Sequence, residues 1–150
     1  MYSRQETSQI RKKFWTSFGQ YMRPVPGANG DIINWLNYKT GIRYLYFRMN
    51  ADNKQASIAI ELRHPDFLLQ RQYFEKLQQV KILLEEQTGE QWLWQLHQTE
   101  EDGITVSRIS ITLENVNIFN AANWPTIISF LKPRLLALDK FWEVVKEGFE

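Results

Sequence analysis

Residues Ile42–His64, IRYLYFRMNADNKQASIAIELRH, hold two runs in which apolar side chains fall at every second position, joined by a short polar stretch. Strand side chains alternate between faces, so Leu45, Phe47 and Met49 share one side of the first run and Tyr44, Tyr46 and Arg48 the other. In the second run Ile58, Ile60 and Leu62 lie opposite Ser57, Ala59, Glu61 and Arg63. An antiparallel hairpin that buries the apolar set puts Phe47 across from Ile58 and Leu45 across from Ile60, with its turn centred on Asp52 and Asn53. That register pairs Tyr44 with Glu61, Tyr46 with Ala59 and Arg48 with Ser57. One face is then core, and the other is a mixed patch of Tyr, Arg and Glu.

Upstream of the hairpin, DIINWLNY at Asp31–Tyr38 reads as a further strand, connected through Lys39, Thr40 and Gly41. Ser3–Met22 has helical spacing, with Ile10, Phe14, Phe18 and Tyr21 on one stripe that Trp15 widens. RPVPGANG at Arg23–Gly30 breaks it. Downstream, Pro65 and Asp66 open a helix predicted to reach about Gln87, with Leu69, Tyr73, Leu77, Val80 and Leu84 buried and Gly89 as its C-terminal cap. Gln91–Gln98 and Ile104–Glu114 read as a second hairpin around Glu101, Asp102 and Gly103. Its first strand should run in the same direction as the Ser57–Arg63 strand, because a helix carries the chain back.

Ile118 and Phe119, in the connector Asn115–Ala122, are expected to plug the core. A last helix starts at Asn123, with Pro125 in its first turn. Ile128, Leu131, Leu135, Leu138, Trp142 and Val145 form its stripe. Pro133 lies inside the pattern and predicts a kink or break near Phe130–Lys132. The order α-β-β-β-α-β-β-α predicts one α+β domain over residues 1–150. Its sheet is expected to be antiparallel-rich and five-stranded, with the helices mainly on one face.

The chain has 150 residues, long enough for a core without cross-links, and no cysteine, which excludes a disulfide framework or thiol chemistry. Eighteen Lys plus Arg against 17 Asp plus Glu provide no general pull toward nucleic acid, membrane or acidic substrates. Aromatic residues make up 14%, including six Trp, so aromatics are concentrated either in the core or on a binding surface. Neither end has a long apolar run, and a cytoplasmic protein without membrane contact is expected.

Two readings compete for the polar face. Helix, three strands, helix and strand is the core order of restriction-endonuclease-like PD-(D/E)XK nucleases, and Glu61-Leu62-Arg63 matches their (D/E)xK element with Arg in place of Lys. Such a site would hold Mg²⁺ between carboxylates. In the expected register Asp52 lies at the far turn and a tyrosine, not an acid, faces Glu61. The competing reading is a noncatalytic surface of Tyr44, Tyr46, Arg48, Glu61, Arg63 and Arg108, needing no cofactor. Tyr and Arg anchor protein interfaces and self-association, and can also hold single-stranded nucleic acid. A self-satisfied network, with Arg48 and Arg63 bonding Glu61, is a further possibility. His64 and His97 are isolated in sequence; His64 could join Asp66 and Glu61 in a metal site only if the strand end bends, and beside Pro65 it reads as a surface or capping residue. Gly27–Gly30 lies between a helix and a strand, the reverse of a phosphate loop.

FWTSFGQYMRPVPGANGDIINWLNYKTGIRYLYFRMNADNKQASIAIELRHPD (Phe14–Asp66) and VNIFNAANWPTIISFLKPRLLALDKFW (Val116–Trp142) resemble an uncharacterised bacterial family. This domain of unknown function is common in Bacteroidetes and found alone or C-terminal to nuclease-like domains. The resemblance spans nearly the whole chain and implies an accessory role in DNA processing or defence. It carries no catalytic assignment.

Overall fold

The computed structural model describes residues 2–150. Its elements, in chain order, are α1 (Arg4–Met22), β1 (Leu45–Ala51), β2 (Gln55–Leu62), α2 (Phe67–Gln79), α3 (Lys81–Thr88), β3 (Leu93–Thr99), β4 (Thr105–Glu114) and α4 (Trp124–Val145). The α+β class holds, but the sheet has four strands, not five, in the order β1-β2-β4-β3 with all neighbours antiparallel. β4 sits beside β2, and β3 therefore runs in the direction of β2, as expected.

The missing strand is Asp31–Tyr38. Here Asn34 accepts a hydrogen bond from the Asn37 amide through its side chain, at 3.2 Å, and winds Trp35–Asn37 into a 3₁₀ turn. Asn side chains that bond nearby amides compete with ladder formation in this way. Only an isolated bridge, Pro26 to Ile32, remains extended.

The hairpin register is also corrected. Leu45 faces Leu62, Tyr46 faces Glu61, Phe47 faces Ile60 and Arg48 faces Ala59, two residues away from the expected pairing. A shift of two preserves side-chain parity, so every residue keeps its predicted face. The cause is the Asp52 side chain, whose Oδ1 accepts from the amides of Lys54 and Gln55 at 2.8 and 2.9 Å. This Asx turn makes Asp52 the first corner and moves the loop one residue along the chain.

Ser3 caps α1 in a reciprocal arrangement with Glu6, and Asp66 caps α2 through the amides of Leu68 and Leu69. The predicted single helix to Gln87 is two helices meeting at Val80. α2 packs on the sheet, with the Phe74 ring 5.6 Å from that of Trp94, whereas α3 packs against α4. A straight helix could not face both. Gly89 closes α3 in the left-handed conformation, as expected. α4 shows no break at Pro133. Phe130, Leu131 and Leu135 are buried around the proline, and burial on this scale offsets one lost amide bond.

The buried apolar side chains form one cluster between the helices and one sheet face, with Ile58, Ile60, Ile109, Leu138 and Trp142 inside it. Ile118 is fully buried and Phe119 partly so, as the connector reading required. Two predicted stripes are rotated. Phe14, Phe18 and Met22 are the buried residues of α1 while Tyr21 is exposed, and α2 buries Gln70, Phe74 and Leu77 while Leu69 is exposed.

Gln70 is a polar residue with no exposed surface. Its Nε2 donates to the carbonyls of His64 and Thr105 at 3.0 and 3.1 Å, and its Oε1 accepts from the Ser107 hydroxyl at 2.5 Å. It ties the start of α2 to β4. Gln70→Leu keeps the volume but orphans two carbonyls and a hydroxyl, and should cost about 2 kcal/mol in urea unfolding. Ser107→Ala added to it should cost less than alone, because only the bond from the His97 amide to the Ser107 hydroxyl is then left to lose.

Candidate functional site

Among the described residues no helix covers the second face of the sheet. Even-numbered residues of β1 and odd-numbered residues of β2 point there, as do Arg108, Ser110 and Thr112 of β4 and Gln95 of β3. Ser57, Ala59 and Ser110 are small, so the middle of this face is a trough of about 390 Å³, rimmed by Arg48, Asn50, Gln95 and Arg108.

Glu61 lies at one end of the trough, 7% exposed, between Tyr46 on β1 and Arg108 on β4. Both its oxygens are engaged. Oε1 accepts from Arg63 Nε at 3.0 Å, and Oε2 accepts from Arg108 Nε and Nη2 at 3.0 and 2.9 Å. Arg108 Nη2 also donates to Glu100. Burial alone would lower the Arg108 pKa, but the hydrogen bond to Glu100 and the charge of Glu61 outweigh it and raise the value, so the guanidinium is held charged. Arg48 is the loosest member. Its Nε is 3.9 Å from Glu61 Oε1, its side chain is 53% exposed, and its guanidinium stacks 4.5 Å over the Tyr46 ring.

The structure thus brings together Tyr46, Arg48, Glu61, Arg63 and Arg108. It does not place Tyr44 opposite Glu61. Tyr44 pairs through its carbonyl with the Arg63 amide, at 2.8 Å, and its ring meets His64 edge-on at 4.8 Å with Arg43 stacked on it. Its φ of 67° is a left-handed conformation uncommon outside glycine, at the entry to β1. Asp52 stays away from Glu61, its carboxylate engaged in its own turn. His64 Nδ1 accepts from the amide of Asp66, the N-cap residue of α2, at 3.0 Å. Glu100 was missed because it reads as part of a turn with Glu101, Asp102 and Gly103. Only the tertiary path shows it reaching Arg108.

A second polar constellation lies on the core side. Asp139, in the middle of α4 and 2% exposed, accepts from the Tyr38 hydroxyl at 2.5 Å and from the Ala28 amide at 2.7 Å. Burial first, then the hydrogen bond and charge of Asp139 and the charge of Glu143, push the Tyr38 hydroxyl far above its ordinary value. In the sequence Asp139 sits beside Leu138 in an apolar helical stripe, and its neighbour Lys140 disguises it as ordinary surface charge.

A family model described as Domain of unknown function (DUF4268) matches residues 10–146. The chain belongs to that family. No curated protein and no solved structure matches it. The DUF4268 match covers α1 through α4, so the trough and the Asp139 constellation both lie within the family domain. No helix among the described residues is long and apolar enough to cross a membrane.

Proposed function

We propose that this DUF4268 chain is a single-domain, noncatalytic protein-binding module of the cytoplasm whose working surface is the open face of the sheet. One observation carries the reading: guanidinium donors hold both oxygens of Glu61, so the carboxylate acts as the anchor of an arginine cluster. A divalent ion would have to displace Arg63 and Arg108 together, which speaks against the Glu61/Arg63 nuclease. With its charge spent inside the cluster, Glu61 positions three arginines and Tyr46 around a floor of small residues. Arg and Tyr of this kind are enriched where proteins meet. The resemblance to a bacterial family with members C-terminal to nuclease-like domains supports an accessory place beside DNA-processing or defence enzymes.

A photo-crosslinking side chain at Ser57 or Ser110, in the floor, is compared with one at the exposed Val144 of α4, in cells of the source organism. Discrete protein adducts are expected from the floor positions and not from Val144. Equal labelling at all three positions would refute the proposal, and adducts of twice the chain mass would identify the partner as a second copy. Plasmid incubated with the protein and Mg²⁺ or Mn²⁺ should stay intact. Cleavage that Glu61→Ala abolishes would establish the nuclease instead.

A further inference from the structure

The two edges of the sheet differ. β3 is blunted by a bulge between Gln95 and Gln98, where His97 takes a φ of 50° and turns its amide to the Ser107 hydroxyl. Irregularity of this sort is how proteins protect an edge from strand pairing. β1 has no bulge, no proline and no lysine. Its hydrogen-bond phase follows from the ends of the hairpin. Arg63 donates to the Tyr44 carbonyl and Asp52 to the Gln55 carbonyl, so even-numbered residues of β1 bond to β2 and odd-numbered residues turn their amides and carbonyls outward. Thr40 Oγ1 already occupies the Leu45 carbonyl, at 2.8 Å. Beyond it, Phe47 and Met49 in the middle of the strand, and the buried Ala51 at its end, direct both main-chain groups away from β2.

That edge opens into a groove of about 280 Å³ between β1 and the side chains of Trp15, Leu36 and Tyr38. Four consecutive residues, Tyr46–Met49, line it, as expected where a strand is seen along its edge. The volume lies just below the range of about 300 to 1,000 Å³ common for small-molecule sites, and suits side chains inserted from a backbone outside. The wall facing β1 carries Trp15, Leu36 and Tyr38 together with the amide of Asn37. On the outer side stands Arg48, the least engaged cation of the cluster, in both the groove and the trough.

We infer that β1 accepts an extended segment of a partner protein as a fifth strand, with an apolar–acidic–apolar core sequence. The segment's two apolar residues lie opposite Phe47 and Met49 and enter the Trp15–Leu36 cleft, and the acidic residue between them, on the outer face, meets Arg48. Main-chain bonds from Phe47 and Met49 hold it, and the alternation of its side chains gives selectivity. The inference rests on the protein-binding reading and names the kind of segment bound, at the β1 edge that adjoins the open face through Arg48.

The probe is a fluorescein-labelled peptide of about ten residues with Val and Glu alternating, against a control with Lys for each Glu. Anisotropy should show saturable binding of the Glu peptide, and amide exchange at Phe47 and Met49 should slow when it is bound. Arg48→Glu should weaken the Glu peptide about tenfold and favour the Lys peptide, as a charge swap requires. Leu36→Asp, at an exposed position, should weaken the Glu peptide similarly by placing a charge in the cleft, while the variant's urea midpoint stays near that of wild type. No binding, equal binding of both peptides, or binding that leaves the exchange of Phe47 and Met49 unchanged would overturn the inference. The face reading is judged separately, by cross-linking from Ser57 and Ser110.

Discussion

Asp139→Ala is expected to destabilise the protein by about 2 to 4 kcal/mol, measured by urea unfolding with tryptophan fluorescence, because it removes two charge-assisted hydrogen bonds and orphans the buried Tyr38 hydroxyl and the part-buried Ala28 amide. The consequence is more than local. Residues 23–44 form no strand or α-helix; Ala28 and Tyr38 pin them to Asp139 and the Thr40 carbonyl to the Trp142 indole at 2.8 Å, while the Val25 carbonyl and the Trp35 indole, 2.9 Å apart, tie the segment to itself. Gly27 lies in the same corner, where an added Cβ would come within 2.7 Å of Ile33 Cγ1. Asp139→Asn should cost only about 1 to 2 kcal/mol, since the amide oxygen can accept from Ala28 while its nitrogen donates to the Tyr38 oxygen. Equal losses for Ala and Asn would show that packing, not hydrogen bonding, sets the role of Asp139.

The same pair predicts an alkaline limb. Tyr38 has a folded-state pKa above its unfolded value of about 10, so the folded state binds the proton more tightly. Its contribution is complete below about pH 10 and is lost as pH rises from there toward the folded value, at up to about 1.4 kcal/mol per pH unit. Tyr38→Phe removes this limb. The stability difference between wild type and Tyr38→Phe should therefore be constant at neutral pH and shrink above pH 10. A difference that does not change with pH would contradict the assignment.

Glu61→Ala is expected to cost about 2 to 4 kcal/mol. The lower part of the range for a broken buried pair applies because the Arg63 and Arg108 side chains are 29% and 24% exposed and can turn partly into water. Adding Arg108→Ala should recover part of the loss, as one of the uncompensated charges is then gone. If Glu61→Ala unfolds at the wild-type urea midpoint, the cluster does not anchor the sheet face and the case against a metal site weakens with it.

How much of this was readable beforehand depended on the range of the interaction. The helix start at Pro65 and Asp66, the Gly89 stop, the two hairpins and the face assigned to each side chain of Tyr46–Arg63 rest on spacing within a few residues. The Arg63–Glu61 contact, two positions apart on one strand face, belongs to the same group. Arg108 joined them correctly only because its strand parity was readable too. The two-residue register shift was not readable, since hydrophobic alternation is unchanged by a shift of two and the Asx bonds of Asp52 decided between equivalent pairings.

What the sequence alone determined, then, was composition of faces: which side chains are apolar neighbours at a period of two or near four, and hence which surfaces must be hidden. The tertiary structure decided which hidden surfaces meet. It left Asp31–Tyr38 out of the sheet, bent the helix at Val80, placed β4 next to β2, and brought Ala28 and Tyr38 to a carboxylate more than a hundred residues away. The physical reason is that periodicity measures only local burial preference, whereas strand partners and buried hydrogen-bond partners are chosen by whole-chain packing, in which every polar group taken from water must find a mate.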